Sequence, residues 1–143
     1  MKSIKIIFAL VAILTTSFSV KADHDQIITF NQLPQAAQTL LKQHFVGKVP
    51  LVVTMDWNEY KIVYETGEEI EFDKQGNWKQ FDCRTSQVPA ALIPEKIKAH
   101  INATFPGAAI IDLDRDRRGY EVRLSNGMEV EYNRNFQAIE IGD

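Results

Sequence analysis

A self-similarity at a fixed spacing of sixty residues constrains this chain more than any other feature. Leu33-Pro34 and Ile93-Pro94 stand sixty apart, as do Phe45 and Phe105, Gly47 and Gly107, Tyr60 and Tyr120, and Gly67 and Gly127. Glu69-Ile70-Glu71-Phe72 falls opposite Glu129-Val130-Glu131-Tyr132, with Lys74 opposite Arg134, and no gap is needed from residue 33 to residue 143. We read this register as a tandem duplication. One such unit buries little core alone, so the two copies are expected to share one.

Within each copy the apolar period changes once. Pro34 is placed as the first helical residue, where its fixed φ is suitable and its missing N–H is not needed. Leu33, Ala36, Ala37, Leu40, Leu41 and Phe45 then follow helical spacing until Gly47, and Ile93, Pro94, Ile97, Ile101 and Phe105 repeat the pattern before Pro106-Gly107. After each helix the period becomes two. Strands are expected over residues 51–55, 60–64, 69–72 and 78–81, and again over 109–113, 120–124, 129–132 and 137–141, with Thr66-Gly67, Gly76 and Asn126-Gly127 at tight turns. Tight hairpins make an antiparallel meander, so the expected fold is α+β: two tandem repeats of one helix followed by a four-stranded antiparallel meander. The helices cover one face, and the meanders can join into one continuous eight-stranded sheet. Residues 23–28 are expected as a loose leader or an edge strand, and residues 84–92 as the connector.

The first 22 residues read as a signal peptide rather than as fold. Lys2 and Lys5 precede an almost uncharged apolar run over residues 6–20, and Val20-Lys21-Ala22 offers small residues at a cleavage site. A membrane anchor is the alternative, but the run is short beside the roughly 20 apolar residues a span needs. No cysteine follows the site, which argues against a lipoprotein anchor. The expected organisation is thus 1–22 as signal, 23–83 as first repeat and 84–143 as second, in the periplasm or secreted, with no membrane contact after cleavage. Removing three lysines and no acid leaves thirteen basic against nineteen acidic side chains, a net charge of −6. That balance lacks the basic stripe of a nucleic-acid binder. Cys83 is the only cysteine, so no intramolecular disulfide forms, and burial as a small core residue is expected.

The sheet face away from the helices carries the most unusual chemistry. If Tyr60, Ile62, Ile70 and Phe72 point to the core, alternation turns Lys61, Glu65, Glu69 and Glu71 away, and Glu121, Arg123, Glu129 and Glu131 match them in the second copy. These eight residues are the candidate binding residues, for a basic partner or a divalent cation. A plain solvated antiparallel face has the same pattern. The Asp112, Asp114, Asp116 run invites a calcium-loop reading, but Arg117 and Arg123 stand where that loop needs glycine and glutamate. A polar strand edge that discourages edge-to-edge pairing is expected there instead. His24, His44 and His100 lack zinc-ligand spacing and read as structural or surface residues, although a terminal His24 could hold copper weakly. No nucleophile elbow or phosphate loop occurs, and Cys83 paired with His44 or His100 has no supporting motif. No catalytic residue, metal site or cofactor is therefore expected. Trp57 and Trp78 suit either an interface anchor or core and hairpin packing.

The pattern L-P-x6-L-x3-F from Leu33, then Y-x-I-x-Y-x-x-G-x-E-I-x-F-D-x-x-G-x-W from Tyr60 to Trp78, then F-D-C, resembles the PepSY-like family. That family is also described as β-lactamase-inhibitor-like and consists of small exported bacterial proteins. The resemblance covers nearly all the chain after the signal, including the connector V-P-A-A-L-I-P, but its motifs are turn glycines, core aromatics and helix-start prolines. It implies two helix-plus-sheet repeats forming one curved sheet whose open face grips a protein, and it carries no catalytic residues. Phe136 replaces the turn glycine matching Gly76, and Ala138 replaces the residue matching Trp78. The last hairpin is therefore expected to differ, and the aromatic contact of Trp78 not to be duplicated.

Three functions compete on these grounds. The leading one is a periplasmic, non-catalytic binding module, an inhibitor of a hydrolase among its forms, acting through the open face on an envelope protein. The second is an ion or cationic-ligand sensor using the acidic face. An enzyme using Cys83 is the third.

Overall fold

The computed structural model describes residues 25–143; the expected signal peptide and His24 lie outside the described residues. Strand β1 (Gln26–Ile28) is followed by helix α1 (Gln35–His44) and by β2 (Pro50–Met55), β3 (Glu59–Tyr64), β4 (Glu69–Asp73) and β5 (Trp78–Asp82). Helix α2 (Glu95–Thr104) then precedes β6 (Ile110–Arg115), β7 (Gly119–Leu124), β8 (Glu129–Asn133) and β9 (Ala138–Gly142). Every element from α1 to β5 recurs sixty residues later. All strands belong to one nine-stranded sheet in sequential order, antiparallel throughout.

Of the segment expected as a loose leader or an edge strand, Gln26–Ile28 forms the edge strand β1, which lengthens the expected eight strands to nine, and Asp23 and His24 lie outside the described residues. Each proline stands one place earlier than expected: Pro34 and Pro94 are the N-caps, and the helices begin at Gln35 and Glu95. Both follow a short 3-10 turn whose carbonyls need donors. Gln38 Nε2 donates to the Leu33 carbonyl at 2.8 Å and to that of Asn31 at 3.1 Å, while Lys98 Nζ reaches the Ala90 carbonyl at 3.3 Å. The same position in each helix thus solves the same problem with different chemistry.

Short polar side chains close the hairpins. Asp56 Oδ1 accepts the N–H groups of Asn58 and Glu59, and Asp116 Oδ1 those of Arg118 and Gly119. The last hairpin does not differ in backbone, contrary to expectation. Phe136 takes φ 65, inside the left-handed region that Gly76 occupies at φ 92, and its N–H bonds the Asn133 carbonyl at 3.0 Å as Gly76 N–H does that of Asp73. The two positions differ in their neighbours. A Cβ on Gly76 would lie 2.8 Å from Pro34 Cβ, whereas the Phe136 ring has room to stack on Tyr120 at 5.2 Å. Trp78 lies 4.6 Å from Phe81, a contact that Ala138 cannot copy.

One core unites both halves. Ala37, Leu41, Ile97 and Ile101 of the helices join Ile62, Ile70, Phe72, Phe81, Leu113, Val122 and Val130 of the strands, all essentially inaccessible. Tyr60, expected in the core, is half-buried at its margin. Each fully buried aliphatic or aromatic side chain contributes about 1.5–3 kcal/mol. The alternate strand residues form the opposite, open face.

Candidate functional site

Pairing across the sheet arranges the open-face residues in transverse rows. One row runs Ile27, Thr54, Lys61, Glu71, Gln80, Asp114, Glu121, Glu131, Glu140, each directly opposite the next. Beside it run Val52, Val63, Glu69, Asp82, Asp112, Arg123, Glu129 and Gly142. Neighbouring strands lie about 4.8 Å apart, so adjacent row members are in electrostatic contact. The face is therefore graded across the molecule: apolar at β1–β3 apart from Thr54 and Lys61, and acidic from β4 to β9 apart from Gln80, Arg123 and Gly142.

Seven of the eight expected residues stand on this face, and the eighth does not. Glu65 lies one residue beyond β3, exposed on the rim, where its N–H donates to the Val49 carbonyl at 2.8 Å. Lys61 sits 3.8 Å from both Glu69 and Glu71, and Arg123 pairs with Glu129. The β4–β5 bulge adds Lys79, which reaches Glu59 at 3.0 Å, and Arg84 binds Asp82 at 2.7 Å. Among the described residues, Asp114, Glu121, Glu131 and Glu140 have no cationic side chain within 4.0 Å. Repulsion between neighbouring carboxylates at strand spacing is about 1 kcal/mol in a wet setting and about 3 kcal/mol where water is partly excluded.

Sequence reasoning missed the centre of this cluster. β6 lies between β5 and β7, so the expected polar strand edge is an interior strand. The period of two places Asp112 and Asp114 together on the open face, while Arg115 turns back to lie 3.9 Å over the Trp78 ring. The sixty-residue register carried the signal, since Asp112 and Asp114 replace Val52 and Thr54, and Glu140 replaces Gln80. Burial first, then the charges of Asp112, Glu121 and Glu71, push the Asp114 carboxyl up to about 6. Burial likewise raises Asp112, where Gln80 opposes the shift by donating to both carboxylate oxygens at 3.1 and 3.2 Å. Glu71 is raised by burial and then by Glu59, and Glu121 by burial and then by Glu129. An open trough of about 450 Å³ over the row is lined by Glu71, Gln80, Asp114, Glu121, Glu131 and Ile139, with Lys79, Arg115 and Arg118 also on its wall.

The raised Asp114 value has a measurable consequence. Its folded value of about 6 exceeds the ordinary 3.8, so the stability linked to its proton is complete below the ordinary value and lost as pH rises through the folded one. Asp114→Asn is expected to stabilise the protein by about 1 kcal/mol near pH 8, after allowance for solvent screening, and not near pH 3.5. Urea unfolding at both pH values checks this, and an equal effect at the two would remove the assignment.

The remaining candidates fall elsewhere. Cys83 is fully buried, as expected, and burial ahead of the nearby Glu68, Asp82 and Asp112 charges pushes its thiol up to about 12, far from a thiolate nucleophile. His100 Nδ1 lies 2.7 Å from the Tyr132 hydroxyl. Trp57 is 68% exposed on the β2–β3 hairpin, so it is not a core residue. Among the described residues no group of three or more His, Cys, Asp or Glu side chains is placed to hold a metal ion, and no helix is long and apolar enough to cross a membrane.

Comparison with known proteins now adds identity to geometry. The family model described as "Putative beta-lactamase-inhibitor-like, PepSY-like" matches residues 19–65 and 58–140. A "putative periplasmic protein" from Bacteroides vulgatus is 39% identical with a TM-score of 0.82, over 85% of this chain and 99% of that one. A "putative calcium-regulated periplasmic protein" from Bacteroides thetaiotaomicron is 36% identical with a TM-score of 0.83, at the same coverage. A second Bacteroides vulgatus structure, described as a "putative periplasmic protein of unknown function", is 28% identical over 83% of this chain and 99% of that one, with a TM-score of 0.79. No curated protein matches. By sequence and by fold, the chain belongs to the PepSY-like, β-lactamase-inhibitor-like family.

Proposed function

We propose that this protein is an exported, periplasmic, non-catalytic binding module, built from two copies of one sixty-residue unit, whose open sheet face receives the basic part of a partner protein. The observation that carries this reading is the row Asp114, Glu121, Glu131, Glu140, which runs across four adjacent strands with no cationic side chain within 4.0 Å among the described residues. Like charges held at this spacing raise the free energy of the isolated fold, and a lysine or arginine laid along the row relieves it. The apolar end of the same face, with Ile27, Val52 and Val63, supplies area for desolvated contact. Inhibition of an envelope hydrolase is the form of binding that the family name supports.

The test uses the protein as bait against envelope extract, beside a variant carrying Asp114→Asn, Glu121→Gln and Glu131→Gln. Partners held by the row should bind the variant about ten-fold more weakly and should weaken further with salt in the parent protein. Capture of the same partners at equal affinity by both baits would exclude the face as the contact.

Calcium binding is a second reading, favoured by the description of the 36% identical relative as calcium-regulated. Because no described group of three carboxylates already stands in metal-holding geometry, an ion would have to draw the row together. Calorimetry separates the readings. A saturable calcium heat that chelator reverses supports the ion, and a flat titration removes it.

A further inference from the structure

We propose that the outer edge of β9 takes an extended basic–apolar–basic peptide segment of another protein as an added strand. β9 pairs with β8 alone among the described strands, and it is exposed along its whole length, with Ile139 61% and Ile141 46% accessible. The fold itself displays what belongs on such an edge. Sixty residues earlier β5 holds the same register on its inner neighbour, Phe81 facing Ile70 as Ile141 faces Val130, and its outer edge is filled by β6. There Leu113 lies opposite Phe81, the Cys83 N–H donates to the Ile111 carbonyl at 2.8 Å, and Phe81 is wholly buried. Phe81 shares a ladder position with Cys83, two residues on, so the N–H groups of Ile141 and Asp143 face outward in the same way.

Charge selects the occupant. At the β5–β6 junction Gln80 lies opposite Asp114 and donates to Asp112. Glu140 replaces Gln80, stands directly opposite Glu131, and has Asp143 close by in sequence. A strand on this edge is therefore basic at the place of Asp114, opposite Glu140, and apolar at the place of Leu113, opposite Ile141. The place of Asp112 faces Gly142, with Glu129 beyond it and Asp143 next in the chain, which favours a base there too. A second copy of this chain does not qualify. Its β1, Gln26–Ile28, contains no lysine or arginine and is preceded by Asp25, and β9 against itself gathers Glu140 and Asp143 from both copies. Backbone pairing at an edge, with pockets for alternate side chains, is an established mode of peptide capture. This contact adds an edge to the proposed face but uses backbone groups that the acidic row does not.

The probe is a short capped peptide of alternating lysine and valine, compared with one of alternating glutamate and valine. Amide exchange at Ile141 and Asp143 is expected to slow about ten-fold with the lysine peptide and to stay unchanged with the glutamate peptide. Ile141→Pro removes an outward N–H while leaving the β8 ladder intact, and should abolish the protection. Protection that persists in the Asp114→Asn, Glu121→Gln variant shows that the edge acts without the row. If the lysine peptide leaves β9 exchange unchanged, the edge proposal is overturned, and shifts confined to the face would leave the earlier reading standing. Protection that instead grows with protein concentration and without peptide assigns the edge to a second copy and also overturns it.

Discussion

Phe81→Ala is expected to lower the unfolding free energy by about 4 kcal/mol, and Ile141→Ala, at the matching position sixty residues on, by only about 1 kcal/mol. Phe81 has no accessible surface, while Ile141 keeps 46% of its own. The Phe81 ring stacks 6.2 Å from Phe45, lies 4.6 Å from Trp78 and faces Leu113 across the junction, so truncation leaves a cavity walled by both halves. Such a cavity collapses poorly, because its walls belong to the end of α1, to β5 itself and to β6. Truncating Ile141 removes atoms that water already reaches. Urea unfolding of both variants at two protein concentrations reads the difference. Near-equal losses would mean that Ile141 is covered in solution, and a concentration-dependent loss would identify the cover as a second copy. The contrast thus measures directly what the free edge lacks.

The architecture was legible because it rests on local chemistry repeated at one spacing. Helix stripes such as Ala37, Leu41 and Phe45, alternation such as Ile62 and Tyr64, and turn residues such as Asn126-Gly127 act within a few positions of themselves, so the sequence displays them. The face was legible only in part. Glu69, Glu71, Glu129 and Glu131 follow from alternation alone, but the junction that sets β5 beside β6 is a long-range pairing with no local signal. Without it Asp112 and Asp114 looked like a loop or an edge. Once β6 is interior, the same two residues become the middle of the acidic face, and Glu140 extends it to the rim. Glu65 failed for the converse reason. Alternation continues on paper past Tyr64, but the chain turns there, closing Gly67 N–H onto the Tyr64 carbonyl at 2.9 Å. Glu68 was invisible. In the run Glu68-Glu69-Ile70-Glu71 it looks like one more surface acid, and only Met128 at its matching position hints that the site is enclosed.

Glu68→Ala is the second large effect, about 3 kcal/mol of lost stability at neutral pH, because it breaks a buried charged network by removing its centre. The carboxylate is 1% exposed. It accepts the Thr66 hydroxyl on one oxygen, and the Ser86 hydroxyl at 2.8 Å with Lys48 Nζ at 3.1 Å on the other. Those partners come from the β3–β4 turn, the connector and the α1–β2 loop, so one side chain ties three segments at the rim of the sheet. Burial works to raise its pKa, but the bonds from Thr66, Ser86 and Lys48 outweigh it and bring the value from the ordinary 4.5 down to about 2. A depressed folded value gives stability that is present above the ordinary value and lost as pH falls toward the folded one. The gap between parent and Glu68→Ala should therefore be full at neutral pH and close between about pH 4.5 and about pH 2. Glu68→Met places there the residue found sixty positions on, Met128, and should cost less, about 1–2 kcal/mol, since an apolar side chain fills the space and the partly exposed Lys48 can turn to water. Hydrogen exchange locates the damage. Val88 N–H, bonded to the Ile110 carbonyl at 2.9 Å, should exchange faster in Glu68→Ala than in Glu68→Met, because the connector has lost its tether to the turn. Equal exchange in the two variants, or a stability gap that persists at pH 2, would show that the network is not what anchors the connector beside the β5–β6 junction.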